Sequence, residues 1–206
     1  MKKSKNMNII DYIVSLKTEK LLVRSYHLYM KIVLIYNLVK KLRENSIDVC
    51  IYNYEKFLKF SNGKEILQKC DDRSYVIAFE VENKKELPIR YNLVTSITRL
   101  SSEFAEILEI NKLSSNLYKA QNKSGQVFLF KIVDDQIVEE SLRPIQENIL
   151  ELLKEFNGES DLSDLVSIIS KKYNISRDAV RYEIAFLKDL GLIDVKNKKV
   201  ILTQLL

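Results

Sequence analysis

The residue that first invites a chemical reading is Lys31. In the stretch Ser25-Tyr-His-Leu-Tyr-Met-Lys31-Ile32 a lysine stands where the phosphate-binding pattern G-x-x-x-x-G-K-[ST] places its own. That pattern works because two glycines let the backbone curl until several N–H groups face one anion, and because the final hydroxyl ligates Mg²⁺. Here the glycine positions hold Ser25 and Met30, and the hydroxyl position holds Ile32. Tyr26, Leu28 and Tyr29 add bulk to a loop that has to wrap tightly. The chain has four glycines in all, so a glycine-built cradle for a phosphate or dinucleotide is excluded almost by counting. The stretch reads as a degenerate phosphate loop without nucleotide chemistry. Met30 and Ile32 are expected to pack, and Lys31 to be a cation at a helix start.

Other catalytic constellations are thinly supplied. His27 is the single histidine, and Cys50 and Cys70 are the only cysteines. A Cys/His metal site needs about four ligands at short spacing, and a histidine-centred triad needs a partner serine or cysteine nearby. Neither is present in the sequence pattern. Two buried or idle thiols, no metal, no cofactor and no enzymatic activity are therefore expected. Glu55 and Glu80 end strand-like runs and read as solvated carboxylates.

The elements that position these residues follow from periodicity. The 206 residues are 46% hydrophobic and 30% charged, enough for a core and for solubility. No apolar run approaches the ~20 residues of a membrane span. The stretch MKKSKNMNIIDYIVSL reads as a flexible start and a short amphipathic helix rather than a signal peptide, so an intracellular, cytoplasmic protein is expected. A change of pattern near Pro144 divides the chain into 1–143 and 144–206. The first part carries 24 Lys/Arg against 18 Asp/Glu, net +6, and the second 9 against 10, net −1.

In the first part KLLVRS is a short strand and YMKIVLIYNLVKKLREN a long helix. IDVCIYNY and SYVIAFEVE are apolar strands of the kind covered on both faces. YEKFLKFSNGKEILQKC is expected as one or two short helices around Asn62-Gly63, and IRYNLVTSITRLSSEF as a helix. AEILEINKL, LYKAQNK and QVFLFKIV are strands, with Ser124-Gly125 as a hairpin turn. The fold class is α/β: a mostly parallel sheet with a terminal antiparallel run, layered with helices.

In the second part PIQENILELLKEF, DLSDLVSIISKKY and SRDAVRYEIAFLKDLG are three helices. Asn157-Gly158 closes the first, Ser160 or Asp161 caps the second, and Ser176 and Gly191 bound the third. LIDV and KVILT are two strands around Lys196-Asn197-Lys198.

Three helices with a tight second turn and then a hairpin resemble the winged helix-turn-helix family, with FLKDLGLI as the phrase that carries the likeness. The resemblance implies a third helix in the DNA major groove. Its outward candidates are Arg177, Arg181, Tyr182 and Lys188, with Lys196, Lys198 and Lys199 on the wing. Asp178, Glu183 and Asp189 share the helix and dilute its charge.

Residues 1–143 are similar to the ATPase core of the RecA/RadA recombinases and their KaiC-like relatives. The likeness rests on the strand–loop–lysine–helix step at 20–43, on Glu55 and Phe57 after the second strand, and on SYVIAFE ending at Glu80. SITRLSSEFAEILEI and the hairpin NKSGQVFLFKIVDDQIVE complete it. It implies a non-catalytic paralogue acting in DNA recombination or repair, binding DNA, a recombinase or a second copy of itself. Two other readings are a winged-helix transcription regulator with an α/β sensor or dimerisation domain, and a peptide-binding module using the VFLFKIVDDQIVEE edge. Basic residues of the first part (Lys2, Lys3, Lys5, Lys40, Lys41, Arg43, Lys84, Lys85, Arg99, Lys112, Lys119, Lys123), with Tyr118 as a stacking ring, form a further candidate nucleic-acid face.

Overall fold

The apolar run after Lys20 forms strand β1 (Leu21–Arg24), whose first three residues are enclosed on both faces. The computed structural model describes residues 7–16, 20–100 and 104–203. Contacts divide the chain into two units, Met1–Glu140 and Ser141–Leu206.

Unit 1 is built on an eight-stranded sheet. Its other strands are β2 (Val49–Tyr52), β3 (Tyr75–Ala78), β4 (Leu93–Ser96), β5 (Glu106–Lys112), β6 (Leu117–Gln121), β7 (Val127–Val133) and β8 (Gln136–Glu139). The order is β2-β3-β4-β1-β5-β6-β7-β8. The first five in that order run parallel, with Leu21 opposite Leu93 on one side and Glu106 on the other. β5 to β8 run antiparallel, as a meander. The β7–β8 turn is Asp134-Asp135, both left-handed at φ 49 and 58, the conformation a tight two-residue hairpin requires.

Helices α1 (Ile9–Ser15) and α2 (Leu28–Glu44) pack in one core with this sheet. Met30, Leu34, Leu38 and Leu42 recur at i, i+4 and are fully buried, each burial contributing about 1.5–3 kcal/mol. A smaller cluster holds Leu22, Ala78, Val94, Tyr91 and Phe104. Since Leu22 alternates with Leu21 and Val23, it lies on the opposite face of the sheet. The helix α3 (Tyr54–Phe60) follows β2 and buries Phe57.

Three expectations are corrected here. Residues 89–100 are not a helix but contain β4, whose four residues are all buried between β3 and β1, and residues 101–103 of that expected helix lie outside the described residues. Leu93, Ile97, Leu100 and Phe104 fall at helical spacing, which mimicked a helix. The segment 64–70 is not helical either; it runs as an irregular strap after α3. The two cysteines are not idle thiols: Cys50 of β2 and Cys70 form a disulfide.

Unit 2 comprises α4 (Pro144–Glu155), β9 (Glu159–Asp161), α5 (Leu162–Tyr173), α6 (Arg177–Asp189), β10 (Ile193–Lys196) and β11 (Lys199–Leu202). Pro144 takes the first helical position of α4, where its missing N–H costs nothing. Ser176 caps α6 by accepting from Ala179 N. Leu190 is the C-cap, and Gly191 follows it in the left-handed region at φ 73. Asp161 is the N-cap of α5. The antiparallel sheet is β10-β11-β9, so the expected hairpin gains a third strand, three residues long and too short to show a period. Ile149, Leu153, Leu165, Ile169, Val180, Leu187, Ile193 and Val200 make its core.

Candidate functional site

Only Ser25, Tyr26 and His27 separate β1 from α2. The helix begins at Leu28, so Leu28, Tyr29 and Met30, which a phosphate loop would need as curled backbone, already form its first turn. Ser25 is buried and stitches this junction: its N–H donates to Ser96 O at 3.1 Å and its hydroxyl to Ile110 O at 2.8 Å. It also accepts from His27 N at 3.2 Å. Met30 and Ile32 enter the core as expected, whereas Tyr26 and Tyr29 are exposed.

Lys31 is not a surface cation. Its side chain is 0% exposed, and Nζ donates to Glu80 Oε2 at 2.6 Å. Oε1 lies equally close, but it is poorly aligned for a hydrogen bond and has no other polar partner. Burial pulls the Lys31 ammonium below the usual lysine range, and the hydrogen bond and charge of Glu80 oppose that pull. Glu80 is likewise buried, contrary to the solvated carboxylate expected of it. It holds φ at 48, a region a glutamate rarely adopts, and surrounding bonds fix it there. Its N–H donates to Thr95 Oγ1 at 2.9 Å, and its carbonyl accepts from Lys56 Nζ at 2.8 Å. The lysine that would meet a phosphate therefore meets a carboxylate of its own chain. This is an internal charge pair spanning from α2 to the end of β3.

Glu55 is exposed in the first turn of α3, as expected, and lines an open cleft of about 540 Å³ with Tyr52, Asn53, Lys56, Glu82 and Glu86. Lys56 pairs with Glu82 at 3.0 Å. Tyr118 is not available as a stacking ring: it is buried, with its ring stacked on Phe130 at 5.6 Å. Burial also raises its phenol pKa. Lys112 lies 5.9 Å over the same ring. Of the other basic residues named in unit 1, Lys40, Arg43, Lys84, Lys85, Arg99 and Lys123 are exposed. Lys41 pairs with Asp11 at 3.2 Å, Lys123 Nζ donates to Phe104 O at 2.5 Å, and Lys2, Lys3 and Lys5 lie outside the described residues.

The second candidate surface is on unit 2. Helices α5 and α6 are joined by a three-residue turn, Asn174 to Ser176, with Asn174 left-handed at φ 51. Arg177, Arg181 and Lys188 fall at i, i+4 and i+11, one stripe of α6 at 3.6 residues per turn, and all are exposed. Tyr182 is 65% exposed and sits under the Arg143 guanidinium at 5.9 Å. Lys196, Lys198 and Lys199 are exposed around the β10–β11 turn. Some of this charge is already matched. Arg181 bonds Asp178 at 2.9 Å, Lys196 bonds Asp194 at 2.6 Å, and Lys199 bonds Glu159. Among the described residues Arg177, Lys188 and Lys198 have no ion pair.

Glu183 does not dilute this face. It turns inward, where its Oε2 accepts from Arg143 Nη2 at 2.7 Å and Gln146 Nε2 at 2.8 Å. No protein-family model matches the sequence, and no curated protein is significantly similar to it.

Sequence reasoning found Lys31 and Glu80 separately and missed the pair. The two are 49 residues apart, and neither type betrays burial on its own. The one available signal was that Lys31 is flanked by core residues, Met30 and Ile32, in a helix apolar nearly all round.

Proposed function

We propose that this chain is a non-catalytic DNA-associated protein, in which a RecA-like α/β unit serves as a scaffold and a winged-helix unit supplies the contact with duplex DNA. The observation that carries the reading is the exposed stripe Arg177, Arg181 and Lys188 on the helix after a three-residue turn, with Lys196, Lys198 and Lys199 on the following hairpin. Cations so spaced can neutralise successive phosphates and release their counterions. The inward turn of Glu183 favours this, since it removes one acid from the face. The helix–strand–helix–helix–hairpin order supports the winged-helix assignment. The central β1, the mostly parallel sheet and the closing antiparallel run support the RecA-like one. The scaffold role is supported by the closed Lys31–Glu80 pair, which leaves that lysine engaged with a carboxylate of its own chain. On this reading the protein acts beside a recombinase in recombination or repair.

The test is binding of the full chain to fluorescent single- and double-stranded DNA across a salt series. Duplex binding that weakens with salt and is lost in Arg177→Ala/Lys188→Ala is expected, together with co-purification of a recombinase from the source extract. No binding to either form and no recombinase partner would sink the proposal. Tight binding to one palindromic duplex, with little affinity for others, would turn it into a transcription regulator instead.

A further inference from the structure

The strap between α3 and β3 lies along the open edge of the sheet. β2 is the last strand on its side, and its residues alternate in direction. Asp48 O and Tyr52 O accept from Tyr75 N and Phe79 N, toward β3, at 2.8 and 3.1 Å. Val49 and Ile51 turn outward. There Val49 O accepts from Lys69 N at 3.0 Å, and Ile51 N donates to Gln68 Oε1 at 2.9 Å. Gln68 and Lys69 thus fill the hydrogen-bonding positions that an added strand would use. The next residue, Cys70, is bonded to Cys50 at the middle of β2.

Apart from that bond the strap is lightly held. Between residues 62 and 73 Ile66 is the one buried apolar side chain, and Leu67 is 86% exposed. Lys69 pairs with Asp48 and Asp71 in solvent, where such pairs contribute little. The rest are a second exposed ion pair, Lys64 with Asp135 at 2.6 Å, and side-chain bonds to backbone from Tyr36, Arg43, Arg90 and Tyr54, the last exchanging mutual bonds with Ile66.

We propose that the Cys50–Cys70 disulfide is a redox latch that keeps this strap closed over the β2 edge. Cys70 is exposed and Cys50 half-buried, so the thiolate of a small or protein dithiol reaches the Cys70 sulfur first. A mixed disulfide forms there and Cys50 leaves as a thiolate, which takes up a proton. The second thiol of the reductant then closes on its partner sulfur and releases Cys70. The protein gains two electrons and two protons, and the dithiol becomes its disulfide. The freed strap then opens to water, and Val49 O and Ile51 N of β2 lose their bonds to Lys69 and Gln68. This inference concerns unit 1 alone and is independent of the DNA-binding reading.

Hydrogen exchange of the full chain tests it, comparing the oxidised protein, the dithiothreitol-treated protein and Cys70→Ser. Ile51 and Lys69 amides should exchange at least about tenfold faster after reduction and in the variant. Val23 and Val94, in the sheet centre, should not change, and reoxidation should restore protection. Unchanged exchange in the strap would overturn the proposal. So would an equal loss across all of unit 1, because the disulfide would then brace the whole unit rather than latch one segment.

Discussion

The two units spend their charged side chains in opposite ways. In unit 1 the lysine with the most suggestive sequence position is sealed against Glu80, out of contact with solvent. In unit 2 the sealed charge is an acid, Glu183, and the cations around it stay outside. A buried cation must satisfy itself within its own fold, whereas an exposed one remains open to exchange its partner. A lysine at motif spacing is therefore weaker evidence for binding than an unremarkable arginine left unpaired in water.

The sharpest way to break that contrast is Lys31→Met. It strands the Glu80 carboxylate in the core without a counter-charge, and should cost about 3–5 kcal/mol of stability in urea unfolding of the full chain. Adding Glu80→Gln removes the stranded charge and should restore most of the loss. A double variant as unstable as the single would show that the lysine matters for its shape rather than for neutralising Glu80. Neither variant should alter DNA affinity if the two units divide their tasks as described.

The next effect belongs to unit 2. Arg177→Ala and Lys188→Ala remove unpaired cations, and each should weaken duplex binding with a reduction in salt slope of about 1. Lys196→Ala and Lys199→Ala should do less, because Asp194 and Glu159 already offset those charges. Equal losses at all four positions would mean that the internal pairs open on binding, and would erase the distinction between matched and unmatched cations. A third and smaller effect is Glu183→Gln. It keeps the shape but loses the charge that Arg143 and Gln146 share, and should cost about 1–3 kcal/mol.

These pairings mark where sequence reading stops. The parallel sheet, the antiparallel run and the three helices of unit 2 were legible, because each rests on a continuous apolar run between turns or on a local period. β4 was not, since a strand buried on both faces has no alternation and its neighbours fell at helical spacing. The strap was not, because its structure comes from the β2 edge and a disulfide spanning 20 residues. The inward turn of Glu183 is the same kind of miss. A lone acid among polar neighbours reads as surface until Arg143 and Gln146, 40 and 37 residues away, are brought to it.

The smallest prediction compares Glu80 with an acid at the opposite extreme of exposure. Asp71, at the end of the strap, accepts from Arg73 N and Ser74 Oγ, each at 2.9 Å, and pairs with Lys69 at 3.2 Å. The backbone bond from Arg73 contributes most, then Ser74 and then Lys69, and together they hold its pKa down to about 2 from 3.8. Because the folded value is the lower, the stabilisation is complete above pH 3.8 and is lost as pH falls through about 2. An amide titration of Arg73 should therefore show a midpoint near 2, and Asp71→Asn should abolish it. Solvent screens this carboxylate, so global stability should barely move. A midpoint close to that of a free aspartate would mean that the turn does not hold the acid. The contrast with Glu80 would then rest on burial alone, and not also on how many donors each carboxylate has gathered.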